Sequence, residues 1–196
     1  SKACAEIITS SFKNSFFQNT QDKKTVGIAS ARAGNIVGGG DWSEFRLIPD
    51  IIKSISQDSE IHIRSPKSTR PWQFVLDALY GYLLLIENLY NNPLKFSGPW
   101  NFGPQKDQIF DVEFIVNEIL SYFDSYHKVI FSNNYDFYES KELMLDITKA
   151  KNILKWKPKF NIKKTIEMTA KWYLQNSKNF STQMITEEQI NEYENF

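Results

Sequence analysis

The sequence predicts an α/β fold, and three observations carry that reading. Segments with helical spacing alternate with short β-rich runs along most of the chain. Hydrophobic residues make up 41% and aromatics 15%, enough for a packed core and wrong for a disordered chain. A mostly buried strand also empties into a glycine-bearing loop, and open α/β sheets bind ligands beyond the carboxyl ends of their strands. No internal repeat or long linker interrupts the pattern.

Each element follows in order. Residues 3 to 17 place Ala5, Ile8, Phe12 and Phe16 on one side of a helix. Asn19 to Lys24 is a polar turn, and Thr25 to Ala31 a strand. Arg32 to Asp41 is a loop with four glycines, where glycine permits positive φ and lets backbone approach a ligand. Leu47 to Gln57 sets Ile48, Ile51, Ile52 and Ile55 on one helical face, and Ile61 and Ile63 alternate as a short strand. Arg64 to Pro71 is a loop, Val75 to Tyr90 a strongly apolar helix, and Trp100 to Pro104 closes a strand with a Gly-Pro turn. Asp111 caps a helix to about Phe123, Lys128 to Phe131 is a strand, and Leu143 to Leu145 a third small one. Asp146 or Thr148 caps a short helix to Leu154. Asn161 caps the last helix, with Ile162, Ile166 and Ala170 or Tyr173 inward, and an acidic tail starts at Ser181.

The composition narrows the function. Lys plus Arg equals Asp plus Glu at 23 each, which argues against a nucleic-acid binder. Cys4 is the single cysteine, so no internal disulfide forms, and with only His62 and His127 beside it no metal site is expected. No apolar run approaches the ~20 residues of a membrane span. The chain opens at Ser1 without methionine, which reads as a truncated sequence, and no signal peptide is seen; the cytoplasm is the expected compartment.

Three features bear chemistry. Gly38-Gly39-Gly40 follows a strand, although a flexible turn explains it equally well. Arg46, Arg64 and Arg70, with Lys67 nearby, sit on loops, and the planar arginine fork suits a diphosphate. Lys2 by itself reads as solvated surface.

Taken in order, SKACAE, ARAGNIVGGGDW, RLIPDII, TRPWQFV, WNFGP and LDITKAKNILKWKP resemble the C-terminal half of an extended short-chain dehydrogenase/reductase. This is the NAD-dependent epimerase/dehydratase superfamily, and within it the CDP-glucose 4,6-dehydratases are the most similar. The resemblance covers about residues 1 to 175, and ARAGNIVGGGDW and RPWQ are its most specific pieces. It implies the end of a Rossmann-type NAD-binding domain over residues 1–37, its first half missing. It further implies a mainly nucleotide-sugar-binding mixed α/β lobe over 38–177, with some return to the sheet, and a tail over 178–196.

Under this resemblance, Lys2 matches the lysine of the YxxxK signature, which bonds the nicotinamide ribose and lowers the pKa of the catalytic tyrosine. That tyrosine falls four residues before Lys2, outside the chain. Asn35 matches an asparagine contacting the substrate diphosphate. Arg46 takes the place of a basic residue lining the nucleotide-sugar site, and Arg70 that of an R-x-W arginine reaching the nucleotide or its phosphates. Arg64 sits where relatives pack the base or ribose, and Asn101 and Glu139 border the nucleotide pocket.

The implied activity is a lyase using NAD. CDP-glucose is oxidised transiently at C4, water leaves across C5 and C6, and the hydride returns to C6. Another epimerase or dehydratase of the superfamily, or a non-catalytic nucleotide-sugar-binding fragment, fits the same motifs. A structural adaptor rests on the tail's charge alone. The family also implies a homodimer whose four-helix bundle includes the helix at Lys2, with Ala5, Ile8 and Phe12 serving either that interface or the core.

Overall fold

The computed structural model describes residues 2–17, 26–123, 127–132 and 142–196. The expected turn at Asn19 to Lys24 and Glu139 lie outside the described residues. The chain is mixed α/β, as its alternating pattern predicts.

The first helix, α1 (Lys2–Phe12), continues into a wider π-helical turn at Lys13–Phe17, and none of its residues is buried. The core reading of Ala5, Ile8 and Phe12 therefore fails among the described residues, because no other element covers that face.

The first strand runs later and farther than its β-rich run suggests. β1 (Ala29–Ala33) pairs in parallel with β6 (Gly98–Phe102), and β2 (Asn35–Val37) pairs in parallel with β5 (Trp72–Phe74). Gly34 is the point of handover. Its N–H donates to the Phe102 carbonyl at 3.2 Å, while the next N–H, of Asn35, donates to the Pro71 carbonyl at 2.9 Å. A β-carbon on Gly34 would stand 2.2 Å from that Pro71 oxygen, so only glycine lets one strand switch partners here. Much of the expected loop from Arg32 to Asp41 is thus strand. β1 is also half-buried to exposed rather than mostly buried.

Beyond β2 come α2 (Leu47–Ser56) and β3 (Ile61–Arg64), which pairs in parallel with β8 (Val129–Ser132). Ile48, Ile51 and Ile52 are buried on α2, and Ile61 and Ile63 alternate with exposed His62 and Arg64, as their spacing predicts. β4 (Thr69–Arg70) pairs antiparallel with β7 (Phe110–Asp111), inside what reads from sequence as a loop. α3 (Val75–Asn91) buries Asp77, Ala78, Gly81 and Leu85 and leaves Leu83, Ile86 and Tyr90 exposed. The short α4 (Pro93–Phe96) is capped by the Asn92 side chain.

Asp111 caps α5 (Val112–Leu120) by accepting from the Phe114 N–H at 2.8 Å, and the helix stops before Phe123. Leu143 to Leu145 forms no strand; only Glu142 bridges, to Thr69. Asp146 accepts from the Thr148 N–H at 2.9 Å ahead of a π-helical turn at Ala150–Leu154. Asn161 caps α6 (Ile162–Ser177), which buries Ile162, Ile166, Ala170 and Tyr173. The acidic tail is itself a helix, α7 (Thr182–Asn195), with Ile185, Gln189 and Tyr193 buried.

Packing divides at Gly34. On the β2 side, one apolar core joins α2, β3, α5 and α6 and takes in Ile185 of α7. On the β1 side, Leu85, Phe96, Trp100, Phe102, Leu154 and Trp156 form another.

Candidate functional site

The end of β2 opens into a cleft of about 540 Å³. Its floor is the strand end from Gly34 to Gly38. One wall is the turn from Asp41 through Arg46 into the start of α2, and the other is β3 with Ser65, Ser68 and Arg70. Alternation on β3 buries Ile61 and Ile63 and turns His62 and Arg64 outward, which sets polar side chains at the cleft beside an apolar base.

Four sequence-predicted residues meet there: Asn35, Arg46, Arg64 and Arg70. Asn35 stands opposite Trp72 in the β2–β5 register, and both line the cleft. Arg70 donates from Nη1 to its neighbour's carbonyl, Thr69 O, at 2.8 Å. Arg46 donates to Asp41 Oδ2 at 2.9 Å, and Asp41 Oδ1 accepts from the Ser43 N–H at 3.0 Å. Burial by itself would raise the Asp41 carboxyl, but hydrogen bonds from Ser43 and Arg46 and the Arg46 charge outweigh it and hold it below its ordinary value. Arg64 forms no ion pair among the described residues. Trp72 is 6% exposed, and its indole Nε1 has no hydrogen-bond partner among them. Among the described residues, three guanidiniums and Trp72 therefore line a space whose carboxylates are Asp41 and Asp50. Such a set suits an elongated polyanion with neutral acceptors.

The other candidates are not brought to the cleft. Lys2 is exposed on α1. Asn101 lies on β6, on the far side of the Gly34 handover, where its Oδ1 accepts from Arg32 at 3.3 Å and its amide donates to the Asp146 carbonyl at 3.1 Å. Lys67 points away and pairs with Glu113 at 2.5 Å, which raises its pKa. Glu139 is outside the described residues.

The glycine run departs from expectation in its reason. A β-carbon on Gly39 would fall 1.9 Å from Cγ of Trp172, and Gly40 has φ +78° beside the same indole. What approaches this backbone closely is the protein's own tryptophan. Sequence reasoning missed Trp172 and Tyr173 as neighbours of the site; the adjacent Gly39 and Gly40, which leave room for a ring against the backbone, were the available signal.

Among the described residues no helix is long and apolar enough to cross a membrane. No family model matches the chain. The fold is that of the Rossmann-type extended short-chain dehydrogenase/reductases, the epimerases and dehydratases. A crystal structure of UDP-glucuronic acid 4-epimerase from Bacillus cereus, in complex with UDP-glucuronic acid and NAD, superposes with a TM-score of 0.72 at 17% identity. The match covers 89% of this chain and 51% of that one. The dTDP-glucose 4,6-dehydratase of Bacillus anthracis, in complex with NAD, gives 0.69 at 18%, over 90% of this chain and 51% of that one.

In sequence, the chain resembles a particular member. It is 41% identical over 174 residues to the CDP-glucose 4,6-dehydratase of Salmonella typhimurium, covering 88% of this chain. It spans about half, 48%, of that relative's length.

Proposed function

We propose that this chain is the C-terminal, substrate-holding part of a nucleotide-sugar 4,6-dehydratase acting on CDP-glucose. The observation that carries the proposal is the convergence of Asn35, Arg46, Arg64 and Arg70 on one cleft of about 540 Å³. The 41% identity with a CDP-glucose 4,6-dehydratase supports the choice of nucleotide sugar. In this reading Arg46 and Arg70 offset the diphosphate charge, Asn35 gives a neutral donor from the strand end, and Arg64 packs the base or ribose.

We place the domain division at the end of β2, just past the Gly34 handover. Residues 1–37 end the dinucleotide-binding domain and 38–177 form the substrate lobe, with β6 and the Ala150–Trp156 segment returning to β1. Residues 178–196, α7 included, extend that lobe. NAD is the cofactor we propose, since the epimerase and dehydratase structures above are described as NAD complexes. This chain contains no glycine fingerprint for a dinucleotide, so its own contribution is Lys2, exposed and within no ion pair among the described residues. Bound NAD would supply transient hydride acceptance at the sugar. The residues of this chain would bind, orient and neutralise substrate. A homodimer through α1 and a cytoplasmic setting complete the proposal, the first supported by the exposed Ile8, Phe12 and Phe16.

The test uses the complete protein. Incubated with CDP-glucose, it should give a 4-keto-6-deoxy product; an epimerised sugar would move the assignment to the epimerases. Arg70→Ala should weaken CDP-glucose binding by about 1.5–3 kcal/mol in calorimetry, the range for a charge-assisted hydrogen bond. Unchanged affinity would place the pocket elsewhere.

A further inference from the structure

The turn from Gly38 to Arg46 joins β2 to α2 and supplies Asp41 and Arg46 to the cleft. It has no regular secondary structure of its own, so its shape depends on what it rests against. It rests on two adjacent residues of α6. The hydroxyl of Tyr173 donates to the Asp41 carbonyl at 2.6 Å, and the Tyr173 ring meets Trp42 edge-on at 5.2 Å. Trp172 underlies Gly39 and Gly40: it leaves no room for a side chain at Gly39, while at Gly40 the positive φ of +78° disfavours one.

We propose that Tyr173, backed by Trp172, is a positioning residue for the substrate cleft. It fixes the carbonyl end of Asp41, while the carboxylate end of the same residue holds Arg46 at 2.9 Å and the Ser43 N–H at 3.0 Å. Tyr173 is therefore two hydrogen bonds from the Arg46 guanidinium and acts through Asp41. Neither Trp172 nor Tyr173 lines the cleft.

The support is stiff. Tyr173 is 3% exposed on a sixteen-residue helix, so its hydroxyl cannot follow a drifting loop. Burial, with the Asp41 charge adding to it, pushes the phenol up to about 12, so it remains a donor across the neutral range. Trp172 is braced in turn from α7, its Nε1 donating to Thr186 Oγ1 at 3.1 Å. The order of contacts is Thr186, Trp172 and Tyr173, then the glycine turn, Asp41 and Arg46. A cation held this way meets a phosphate without first losing rotamer freedom, which is how preorganisation raises affinity.

The inference rests on reading the cleft as a sugar-nucleotide site, and its test separates the two. In the complete protein, Tyr173→Phe keeps the ring and removes one hydrogen bond. KM for CDP-glucose should rise about three- to tenfold with kcat within about twofold, the span of a neutral hydrogen bond lost from binding alone. Arg46→Ala should also raise KM, and adding Tyr173→Phe to it should cost almost nothing more, because both act on one contact. A purely structural tyrosine would lower kcat and KM-based efficiency together, and its penalty would multiply with that of Arg46→Ala. Either that result or an unchanged KM overturns the proposal. Should Tyr173→Phe not fold, Gly39→Ala lifts the turn off the indole, and KM is expected to rise more than about tenfold. An unchanged KM there is equally fatal. If the unaltered protein neither binds nor converts CDP-glucose, the reading of the cleft fails and this inference fails with it. If it does both while Tyr173→Phe leaves KM alone, only the positioning role falls.

Discussion

The two end helices invert their own sequence patterns. α1 and the π-helical turn after it set Ile8, Phe12 and Phe16 along one side, yet Phe12 is 56% and Phe16 68% exposed. α7 carries Glu187, Glu188, Glu192 and Glu194 and little apolar surface, yet it docks through Ile185, Gln189 and Tyr193. The difference lies in the partners. Gln189 donates to the Met168 carbonyl at 2.6 Å, Tyr193 donates to Asp77 Oδ1 at 2.9 Å, and Lys159 Nζ donates to the Tyr193 carbonyl at 2.9 Å. α1 is tied through Glu6, which accepts from Ser30 at 2.8 Å and from Arg32 at 2.7 Å. Periodicity marks a face that favours burial. The surface opposite decides which face obtains it.

The contrast breaks first at Asp77. Its fully buried carboxylate accepts from the Lys159 N–H at 2.7 Å, the Phe160 N–H at 3.4 Å and the Tyr193 hydroxyl. Asp77→Ala leaves these donors unpaired in an enclosed space and should cost about 3 kcal/mol in urea unfolding. Asp77→Asn keeps an acceptor and should recover part of it. A loss below about 1 kcal/mol in Asp77→Ala would mean that α7 is held by something else. Next in size is Tyr193→Phe, which removes one bond to a carboxylate and should cost about 1.5–2 kcal/mol. Faster amide exchange should be confined to α7.

Acid separates the helices by sign. Hydrogen bonds from Arg32 and then Ser30 hold the Glu6 carboxyl below its ordinary value of 4.5. A carboxyl depressed in the fold stabilises above its unfolded pKa, and that contribution disappears as pH falls through the folded pKa. Burial raises the Asp77 carboxyl above 3.8, against the opposing bonds from Lys159, Tyr193 and Phe160. The folded state then binds that proton more readily, so the Asp77 contribution weakens as pH rises from its unfolded to its folded pKa. Local exchange protection should show opposite slopes. Relative to Glu6→Gln, protection of α1 grows with pH, whereas relative to Asp77→Asn protection of α7 declines. Slopes of the same sign would remove the distinction.

What the sequence made legible follows the same logic. α2 and β3 could be read outright, because Ile48, Ile51, Ile52, Ile61 and Ile63 announce their faces within one short window. The meeting of Asn35, Arg46, Arg64 and Arg70 was legible through motif order. The handover at Gly34 was not, since its cause is the Pro71 carbonyl, far along the chain. β4 and β7 are two residues each, too short to show a period. Gln189 and Tyr193 look like surface residues until Met168 and Asp77 are brought to them. Asn101 falls at the expected end of β6 but on the wrong side of the strand switch to reach the cleft.

The smallest effect is expected on α1. Phe12 touches Phe16 at 5.4 Å between ring centres and keeps more than half of its surface in solvent. Phe12→Ser in this chain should change the unfolding free energy by less than about 0.5 kcal/mol, because little apolar area returns to water. A cost of about 2 kcal/mol or more would mean that the face is covered within the chain, and the two helices would no longer differ. In the complete protein, where we propose that α1 enters a subunit interface, the same change should instead weaken association in sedimentation experiments. There the ring would lose a partner it does not have here, so one substitution, silent in the first setting and costly in the second, locates the surface that α1 is patterned for.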